Sequence, residues 1–402
     1  MGRILRVVTA ALLLWQGHGA AQVKPAFAAL VERLSEPGGF FPSDNLVSNE
    51  TSYLHVLGAI RRLGVKGGAY LGVGPEQGFS YIAEIKPKLA LVIDIRRDNL
   101  LFHLLLKAMF SEARNRIEYL CLLYGRPTPP ELTMWTDLPL ESLLEYLDGR
   151  LADSTLQDRN HRRLMGVVEG YGVPLTELDR ATLRRFHDEF ALTGLEIRYS
   201  TRGRGPRLMF PTNRRLYLET DLEGTPASYL ATEDRWRTVR DLERADRVVP
   251  VVGDLAGPTA VRAIGEYLRA QGLVVSAFYL SNVESYLFRG GTFGNFVANV
   301  RSLPADGKSV LIRSGFGRWG GAQINVAPGH FSAQALQTFA RFSQLTADPA
   351  AIEYWQLVND GLELPAVAAD STGPRPPNDQ AGRRSGSRSP SPRRGRSSSG
   401  SR

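Results

Sequence analysis

The stretch from Gly67 to Asn99 constrains the fold of this chain more than any other, because it has the order strand, glycine turn, helix, strand. The apolar run Ala69–Val73 leads into the turn Gly72–Glu76, where missing side chains let the backbone bend tightly and approach a ligand. A second apolar run, Leu89–Ile93, is continuous, as in strands buried on both faces. This order predicts a βαβ unit.

The turn and the second strand have the spacing of a nucleotide-binding unit. A helix that begins after the turn presents unpaired N–H groups and the positive end of its dipole to a ligand. In such folds an acid about twenty residues after the glycines holds a ribose hydroxyl, and Gly74 and Asp94 fit that spacing. Gln77 stands where G-x-G-x-x-G has its third glycine. An ordinary βαβ unit with a tight turn is therefore the alternative interpretation.

The alternation of strands and helices returns after residue 246. The pattern predicts strands at 248–252, 273–280 and 309–313, and helices at 258–270, 292–303, 333–345 and 350–359. Five strands joined by crossovers predict an α/β fold with a doubly wound, mostly parallel sheet and helices on both faces.

The other segments are predicted to be helical. Helices are expected at 26–34, from Ser48 or Asn49 to about Leu63, and as one long helix over 99–124. We predict a mostly helical insertion whose basic segment 198–215 is a solvated loop or, alternatively, an anion-binding surface. The predicted organisation is a signal peptide (1–22), N-terminal helices with the first half of the sheet (23–126), the insertion (127–245), the second half (246–364) and a disordered tail (365–402).

The N-terminal segment has the order of a secretory signal peptide. Two arginines precede the apolar run Val7–Trp15, and small residues follow, with Gly19 and Ala21 before a cut near Gln22. We expect a periplasmic or secreted protein. If the segment is instead an upstream extension or an N-terminal helix, the protein is cytoplasmic. The apolar run is too short to span a bilayer comfortably, so no transmembrane segment is expected in the mature chain.

The net charge of +8 is concentrated at the ends of the chain. Residues 373–402 carry +7 and residues 1–22 carry +2, and subtracting both from +8 leaves −1 for residues 23–372. The folded part is thus not expected to bind nucleic acid specifically. The tail, rich in arginine, serine and proline, has too few apolar residues to fold, although it also resembles RNA-binding arginine–serine segments.

Histidine and cysteine spacing predicts no metal site. Cys121 is the only cysteine and lies in an apolar helical pattern, which excludes an intramolecular disulfide. The six histidines show no H-E-x-x-H or similar spacing.

Polar residues follow four successive predicted strands. Because the carboxyl ends of parallel strands meet at one edge of a sheet, this predicts a crevice for a small-molecule ligand. The residues concerned are Gly72, Gly74 and Glu76 after the first strand, Asp94 and Arg96 after the second, Asp254 after the third, and Asn282, Glu284 and Tyr286 after the fourth. Asn49, Glu50 and Tyr53, on the helix expected before the first strand, are predicted to contact substrate or to form a lid.

Several segments carry a resemblance to known proteins over residues 38–345. They are FPSDNLVSNETSYLHV, GGAYLGVGPEQGFSYIA, LALVIDIRRDNLLFHLLLKAMF, VVPVVGDLAGPTAVRAIGEYL and SAFYLSNVESYLF. They resemble an uncharacterised family of bacterial proteins, whose pattern is similar to the class I S-adenosylmethionine-dependent methyltransferase fold of the Rossmann type. That fold usually has an acid where this chain has Tyr70, and a glycine where it has Glu76.

The resemblance implies S-adenosylmethionine as cofactor. It implies that Gly72 and Gly74 lie under the methionine part and that Asp94 binds the ribose. It further implies that Asp254 lies beside the adenine and that the segment from Asn282 to Tyr286 faces the methyl group, with Glu284 as base or substrate anchor.

Three functions are compatible with these observations. The first is a methyltransferase-like protein whose acceptor the sequence does not identify. The second is an exported, non-enzymatic ligand-binding protein on the same fold, since S-adenosylmethionine is a cytosolic metabolite. The third is a hydrolase or transferase that uses Glu76, Asp94 and Glu284 as acid and base. The chain contains no G-x-S-x-G, which argues against a serine hydrolase.

Overall fold

Six strands form one mixed sheet in the computed structural model, which describes residues 26–202, 204–205, 207–316 and 326–361. The strands are β1 (Ala69–Gly72), β2 (Leu89–Asp94), β3 (Val248–Val252), β4 (Val275–Ser281), β5 (Val310–Phe316) and β6 (Ser332–Thr338). Their order across the sheet is β3-β2-β1-β4-β5-β6. The first five pair in parallel and β6 pairs antiparallel with β5. The α/β fold with a mostly parallel sheet is thereby confirmed.

The α-helices of the described residues are α1 (Ala26–Leu34), α2 (Leu57–Arg62), α3 (Gly78–Ile85), α4 (Arg97–Glu112), α5 (Arg116–Tyr124), α6 (Leu140–Asp148), α7 (Ser154–Gly170), α8 (Glu177–Thr193), α9 (Asn213–Tyr217), α10 (Glu233–Arg244), α11 (Ala260–Ala270), α12 (Val283–Arg289), α13 (Phe293–Arg301), α14 (Phe339–Leu345) and α15 (Tyr354–Asn359). Helices α1 and α2 precede β1, α14 and α15 follow β6, and the others lie between strands, most of them between β2 and β3.

The core lies on both faces of the sheet. Every residue of β1 and β3 is buried. Since successive side chains of a strand point to opposite faces, this pattern means that both faces are covered. Helices α1 and α4 pack against β3, and α4 also contacts β2.

One predicted long helix is two helices. The expectation of a helix over 99–124 was wrong at Ala113, which is extended and ends α4. Asn115 is also extended, and its side chain accepts a hydrogen bond from the backbone N–H of Glu118, so that it caps the N-terminus of α5. Both pieces keep an apolar pattern, and for that reason the sequence reads as continuous.

The segment predicted as a helix over 333–345 begins as strand β6 and becomes helix α14 only at Phe339. Its sequence Ser332–Thr338, SAQALQT, has little β-branched character. Seven residues of the segment pair with β5 in antiparallel register. Tertiary pairing therefore overrides the local preference for helix.

The helix predicted from Ser48 to Leu63 is regular only at α2, and residues 51–56 form turns. Side chains of this segment are committed to distant partners. Ser52 Oγ lies 2.9 Å from Ser332 Oγ, and Tyr53 Oη donates to the Leu216 carbonyl over 2.8 Å. These contacts hold the segment against the sheet edge in a non-helical conformation.

None of the helices in the described part of the chain has the length and hydropathy that a membrane span requires. The predicted signal peptide (1–22) and the predicted disordered tail (365–402) lie outside the described residues.

Candidate functional site

A cavity of about 310 Å³ lies at the carboxyl ends of β1 to β4. β1 lies between β2 and β4, so the chain runs to opposite sides of it, and such a switch point is where open α/β sheets bind ligands. The lining residues are Val73, Gly74, Pro75 and Gln77 after β1, Ile93, Asp94 and Ile95 at β2, Gly253, Asp254 and Leu255 after β3, Ser281, Asn282, Val283, Tyr286 and Leu287 after β4, together with Phe40, Phe41, Asn45, Ser48, Asn49 and Tyr199.

The glycine turn presents Gly74 to this cavity. Gly74 has a φ of 87°, a conformation that residues with a side chain rarely adopt. A Cβ atom there would lie 3.3 Å from the Nε2 atom of Gln77 and 3.7 Å from the Nδ2 atom of Asn45. Those two amides line the cavity as well. The absent side chain thus leaves an open cradle between two amide groups.

Gly72 does not line the cavity. A Cβ atom at Gly72 would lie 2.4 Å from the hydroxyl oxygen of Tyr70. The glycine therefore makes room for the buried ring of Tyr70, the residue that stands where the related fold usually has an acid.

Asp94 lines the cavity and is held by Arg96. The guanidinium donates from Nε to Oδ1 over 3.1 Å and from Nη2 to Oδ2 over 2.9 Å, and the backbone N–H of Arg96 donates to Oδ1 over 2.9 Å. Oδ1 thus accepts two hydrogen bonds and Oδ2 accepts one. Because a carboxylate oxygen has two lone pairs, Oδ2 keeps one acceptor position for a ligand hydroxyl.

Arg96 itself is buried behind the cavity wall. Its Nη1 donates to the carbonyls of Ser43 and Asp44, at 2.7 Å and 2.8 Å. The side chain therefore ties the end of β2 to the N-terminal segment that supplies part of the cavity wall. It positions Asp94 and does not line the cavity.

Glu76 points away from the cavity into a buried polar cluster. Its carboxylate accepts hydrogen bonds from the hydroxyls of Tyr217 and Tyr229, each at 2.6 Å, and from Nδ2 of Asn213 at 2.9 Å. Burial raises the pKa of Glu76, although these three donors oppose the shift. Glu76 thus anchors the glycine turn to the segment around α9.

Asp254 lines the cavity after β3, with Oδ1 accepting the backbone N–H of Ala256 over 2.9 Å. The N-terminus of α11 is capped from elsewhere in the sequence. The carboxylate of Glu36 accepts the backbone N–H groups of Thr259 and Ala260 at 2.9 Å and 3.1 Å. The carboxylate of Asp254 is thereby left at the cavity wall.

The segment after β4 divides between the cavity and the core. Asn282 and Tyr286 line the cavity, and Tyr286 is 42% exposed with its ring edge-on to Phe41 at 5.4 Å between centroids. Glu284 is 1% exposed and does not line the cavity. It accepts from Nε and Nη2 of Arg313 at 2.6 Å and 3.2 Å. Residues two apart on a helix point to opposite sides, so α12 turns Glu284 away.

Of the three predicted lid residues, Asn49 lines the cavity whereas Glu50 and Tyr53 lie behind it. Glu50 accepts from the Tyr279 hydroxyl at 2.7 Å and from Nε2 of Gln334 at 3.0 Å, and it also accepts from the hydroxyls of Ser281 and Ser314. Because Ser281 lines the cavity, Glu50 supports the wall through a single hydroxyl.

The sequence did not single out Gln77 as a cavity residue. This side chain is 6% exposed, and its Oε1 atom has no hydrogen-bond partner among the described residues. The amide atom that faces the glycine turn is Nε2, which would lie 3.3 Å from a Cβ atom at Gly74. The sequence feature that could have identified Gln77 is its position, because it stands where the glycine motif has its third glycine.

The sequence also did not identify three aromatic side chains that line the cavity. Phe40 and Phe41 lie in the segment between α1 and α2, and Tyr199 comes from the basic segment after α8. In that segment Arg202 pairs with Asp44 and Asp98, at 3.1 Å and 2.7 Å, outside the cavity lining.

The cavity has negative electrostatic character. Among the described residues that line it, only Asp94 and Asp254 carry a charge. The positive charge of Arg96 offsets that of Asp94 from behind the wall. Such a lining favours a ligand that is cationic or rich in donors, and disfavours a nucleotide with several phosphates.

The family model described as "Domain of unknown function (DUF7790)" matches residues 45–126 and 199–358, together more than half of the chain. The match leaves out 127–198 and includes the ends of β1 to β4. No curated protein matches the chain. Because the model matches more than half of the chain, the chain is a member of the DUF7790 family.

Proposed function

We propose that this chain binds S-adenosylmethionine in the cavity at the ends of β1 to β4 and is a methyltransferase-like protein. The observation that carries the proposal is the donor and charge pattern of the cavity at the switch point: an acid after β2 with one acceptor position open, a glycine cradle after β1 and no described cationic lining residue. S-adenosylmethionine has ribose hydroxyls, an ammonium group and a sulfonium charge, and each of these suits that lining.

The residues present fit the parts of this cofactor. Asp94 would hold a ribose hydroxyl through Oδ2, and Gln77 would contact the methionine part beside Gly74. Ile95 and Leu255 supply apolar surface on the side of Asp254, where the related fold binds adenine. When bound, the cofactor supplies an activated methyl group.

Asn282 and Tyr286 are then the residues that orient an acceptor. They lie at the end of β4, and Tyr286 is exposed enough to meet a molecule that enters from solvent. Orientation alone contributes much of the acceleration in such reactions, with effective molarities on the order of 10⁵ M or more. A separate general base is therefore not a requirement of the proposal.

The binding experiment is calorimetric titration of the full chain. We expect S-adenosylmethionine and S-adenosylhomocysteine to bind, and ATP and NAD⁺ to give no measurable heat. Asp94→Asn is expected to weaken binding by about 10-fold or more, since hydrogen bonds to charged groups contribute about 1.5–3 kcal/mol. Asp241→Asn is the control, because that side chain is 61% exposed on α10 and outside the cavity lining. Absence of binding at millimolar S-adenosylmethionine, or equal binding of ATP, would contradict the proposal.

A non-enzymatic binding protein is the second candidate. The observation that favours it is the burial of Glu284 in an ion pair with Arg313, which leaves Asp94 and Asp254 as the carboxylates on the described lining. Conversion of S-adenosylmethionine to S-adenosylhomocysteine over many turnovers, in the presence of a cell extract as source of acceptors, separates the two. An enzyme converts the ligand, whereas a binding protein returns it unchanged.

A further inference from the structure

Three side chains converge outside the cavity: His55 in the turns before α2, Glu219 after α9, and His330 before β6. One ligand atom from each, a ring nitrogen or a carboxylate oxygen, lies within 4.8 Å of the other two. We propose that His55, Glu219 and His330 form a binding site for a divalent transition metal ion, with Zn²⁺ as the best match. This site is separate from the cavity and does not depend on the proposed function.

The donor types and geometry suit such an ion. The rings of His55 and His330 have centroids 4.5 Å apart at 71°, and Nε2 of His330 lies 3.2 Å from Oε2 of Glu219. Two imidazole nitrogens and one carboxylate oxygen form a common donor set for Zn²⁺, with a water molecule as the fourth ligand. The side chains of His330 and Glu219 are 14% and 12% exposed, so a water molecule and the ion have access.

His330 is oriented as metal-bound histidines are. Its Nδ1 lies 3.1 Å from the carbonyl oxygen of Pro328, which is an acceptor only. Nδ1 therefore carries a proton and donates it, which leaves Nε2, on the side of Glu219, as the ring nitrogen that would bind an ion. A backbone carbonyl on the far nitrogen of a ligand histidine is a recurrent second partner in metal sites, where it holds the ring and selects the tautomer.

His55 is a buried histidine whose ring packs edge-on against that of His330. It is 7% exposed, and its ring nitrogens have no hydrogen-bond partner among the described residues. A ring nitrogen without a protein partner has its lone pair available to an ion.

A simple ion pair does not account for the cluster. A protonated His330 beside Glu219 satisfies those two residues and leaves His55 unpaired. The nearby carboxylate of Asp221 is already used, since it accepts from Arg61 at 2.7 Å and from the backbone N–H groups of Glu223 and Thr225. A divalent metal ion engages all three side chains together.

The ligands also explain why an ion would matter to the fold. They come from three segments far apart in sequence, and all three lie in the ranges that the DUF7790 model matches. The His55 segment also contains Asn49, which lines the cavity. A bound ion would cross-link this segment to the region after α9 and to the segment just before β6. It would stabilise the folded state, because it binds the folded chain and not the unfolded chain.

The test uses the full chain, stripped with a chelator and titrated with ZnCl₂ in metal-free buffer. We expect one Zn²⁺ per chain by calorimetry and by elemental analysis, and a rise in melting temperature on loading. Co²⁺ in place of Zn²⁺ is expected to give the visible absorption of a four- or five-coordinate nitrogen and oxygen site. Glu219→Gln, which keeps the side-chain shape, is expected to weaken Zn²⁺ affinity 10-fold or more, and His330→Ala to abolish binding.

His161→Ala is the matched control. His161 is buried to a similar extent as His55, and it belongs to the other close histidine pair of the described residues, in which its Nδ1 lies 3.3 Å from Nδ1 of His187. It should leave the stoichiometry and the Co²⁺ spectrum unchanged. Zn²⁺ binding that survives in the His55→Ala, His330→Ala double variant, or that is lost in His161→Ala, would overturn the proposal. So would a wild-type chain that binds no Zn²⁺. Circular dichroism of each variant shows whether it is folded. Glu219→Gln is the mildest change, so a folded Glu219→Gln variant with weaker Zn²⁺ binding separates loss of a metal ligand from loss of the fold.

Discussion

Three glutamates that the sequence places near strand ends are buried in the structure, each beside hydrogen-bonding or ion-pair partners. They are Glu50, Glu76 and Glu284. Glu284 is neutralised by Arg313, while Glu76 is held by two tyrosine hydroxyls and one amide. A buried carboxylate without such partners is costly, because desolvation disfavours the charge. These residues therefore support the cavity wall, and the open carboxylate positions on the wall belong to Asp94 and Asp254.

The clearest single-residue prediction concerns Glu243 on α10, which packs against α4. Burial raises the pKa of Glu243 to about 8 from an ordinary value near 4.5, although Lys107 lies 3.8 Å away. The folded state thus retains a proton that the unfolded chain releases. Its stabilising effect is complete below about pH 4.5 and is lost as the pH rises to about 8.

Glu243→Gln should remove this loss. The free energy of unfolding of the variant, relative to wild type, is expected to increase between pH 5 and pH 8 by about 2 kcal/mol. Urea unfolding at the two pH values measures it. Glu266→Gln, at an exposed position of α11, is the control and should show no such difference. A wild-type minus variant difference that is constant with pH would refute the assignment of the proton to Glu243.

At the scale of elements, the cavity is assembled by side chains that tie loops to strand ends. Arg96 joins the end of β2 to residues 43–44, and Glu36, just after α1, caps the N-terminus of α11 beyond β3. Gly257 makes room for the Glu36 carboxylate at the N-terminus of α11, since a Cβ atom at residue 257 would lie 2.0 Å from Oε1 of Glu36. The order of the loops around the cavity thus depends on contacts between segments distant in sequence.

Removing this cap should destabilise the fold. Glu36→Ala is expected to reduce the free energy of unfolding at pH 7 by about 1–2 kcal/mol, because the amides of Thr259 and Ala260 lose their acceptor. Burial alone would raise the pKa of Glu36, and the hydrogen bonds from Thr259, Asp254 and Ala260 outweigh it and lower the pKa. The stabilisation is therefore present above pH 4.5 and lost as the pH falls further.

Guanidinium unfolding at pH 7 and pH 3 measures the Glu36 effect. The difference in free energy of unfolding between wild type and Glu36→Ala should be smaller at pH 3 than at pH 7, because the stabilisation is lost as the pH falls. Gly257→Ala should reproduce the pH 7 loss by displacing the carboxylate. A loss that is equal at both pH values would show that Glu36 acts by packing and not by its charge.

For the whole molecule, charge is divided between the folded part and the ends of the chain. Residues 23–372 carry −1, whereas residues 373–402 carry +7. Affinity for a polyanion depends on the number of cations that can meet it and falls with salt. We expect the full chain to be retained on heparin at low ionic strength, and a chain ending at residue 372 to pass through. Retention of the shortened chain at the same salt concentration would place the cationic surface in the folded part.

The shortened chain should also keep its melting temperature and Zn²⁺ stoichiometry, because the described ligands and core residues all precede residue 362. Loss of either would mean that residues 373–402 contribute to the fold.

The sequence by itself determined the α/β class, the boundaries of β2 and β3 and the edge of the sheet at which the cavity lies. These follow from local properties: continuous apolar runs, glycine turns, and the rule that parallel strands bring their carboxyl ends together. It also identified Gly74, Asp94, Asp254, Asn49, Asn282 and Tyr286, each of which lines the cavity.

Only the tertiary structure decided where the remaining side chains point and which distant segments meet. Two positions on α12 separate Glu284 from Tyr286, and that spacing is enough to send one into the core and the other to the cavity. β6 is a strand because of its pairing with β5, which local propensity does not record. His55, Glu219 and His330 show no ligand spacing in the sequence, because chain separation carries no information about distance until the sheet has formed.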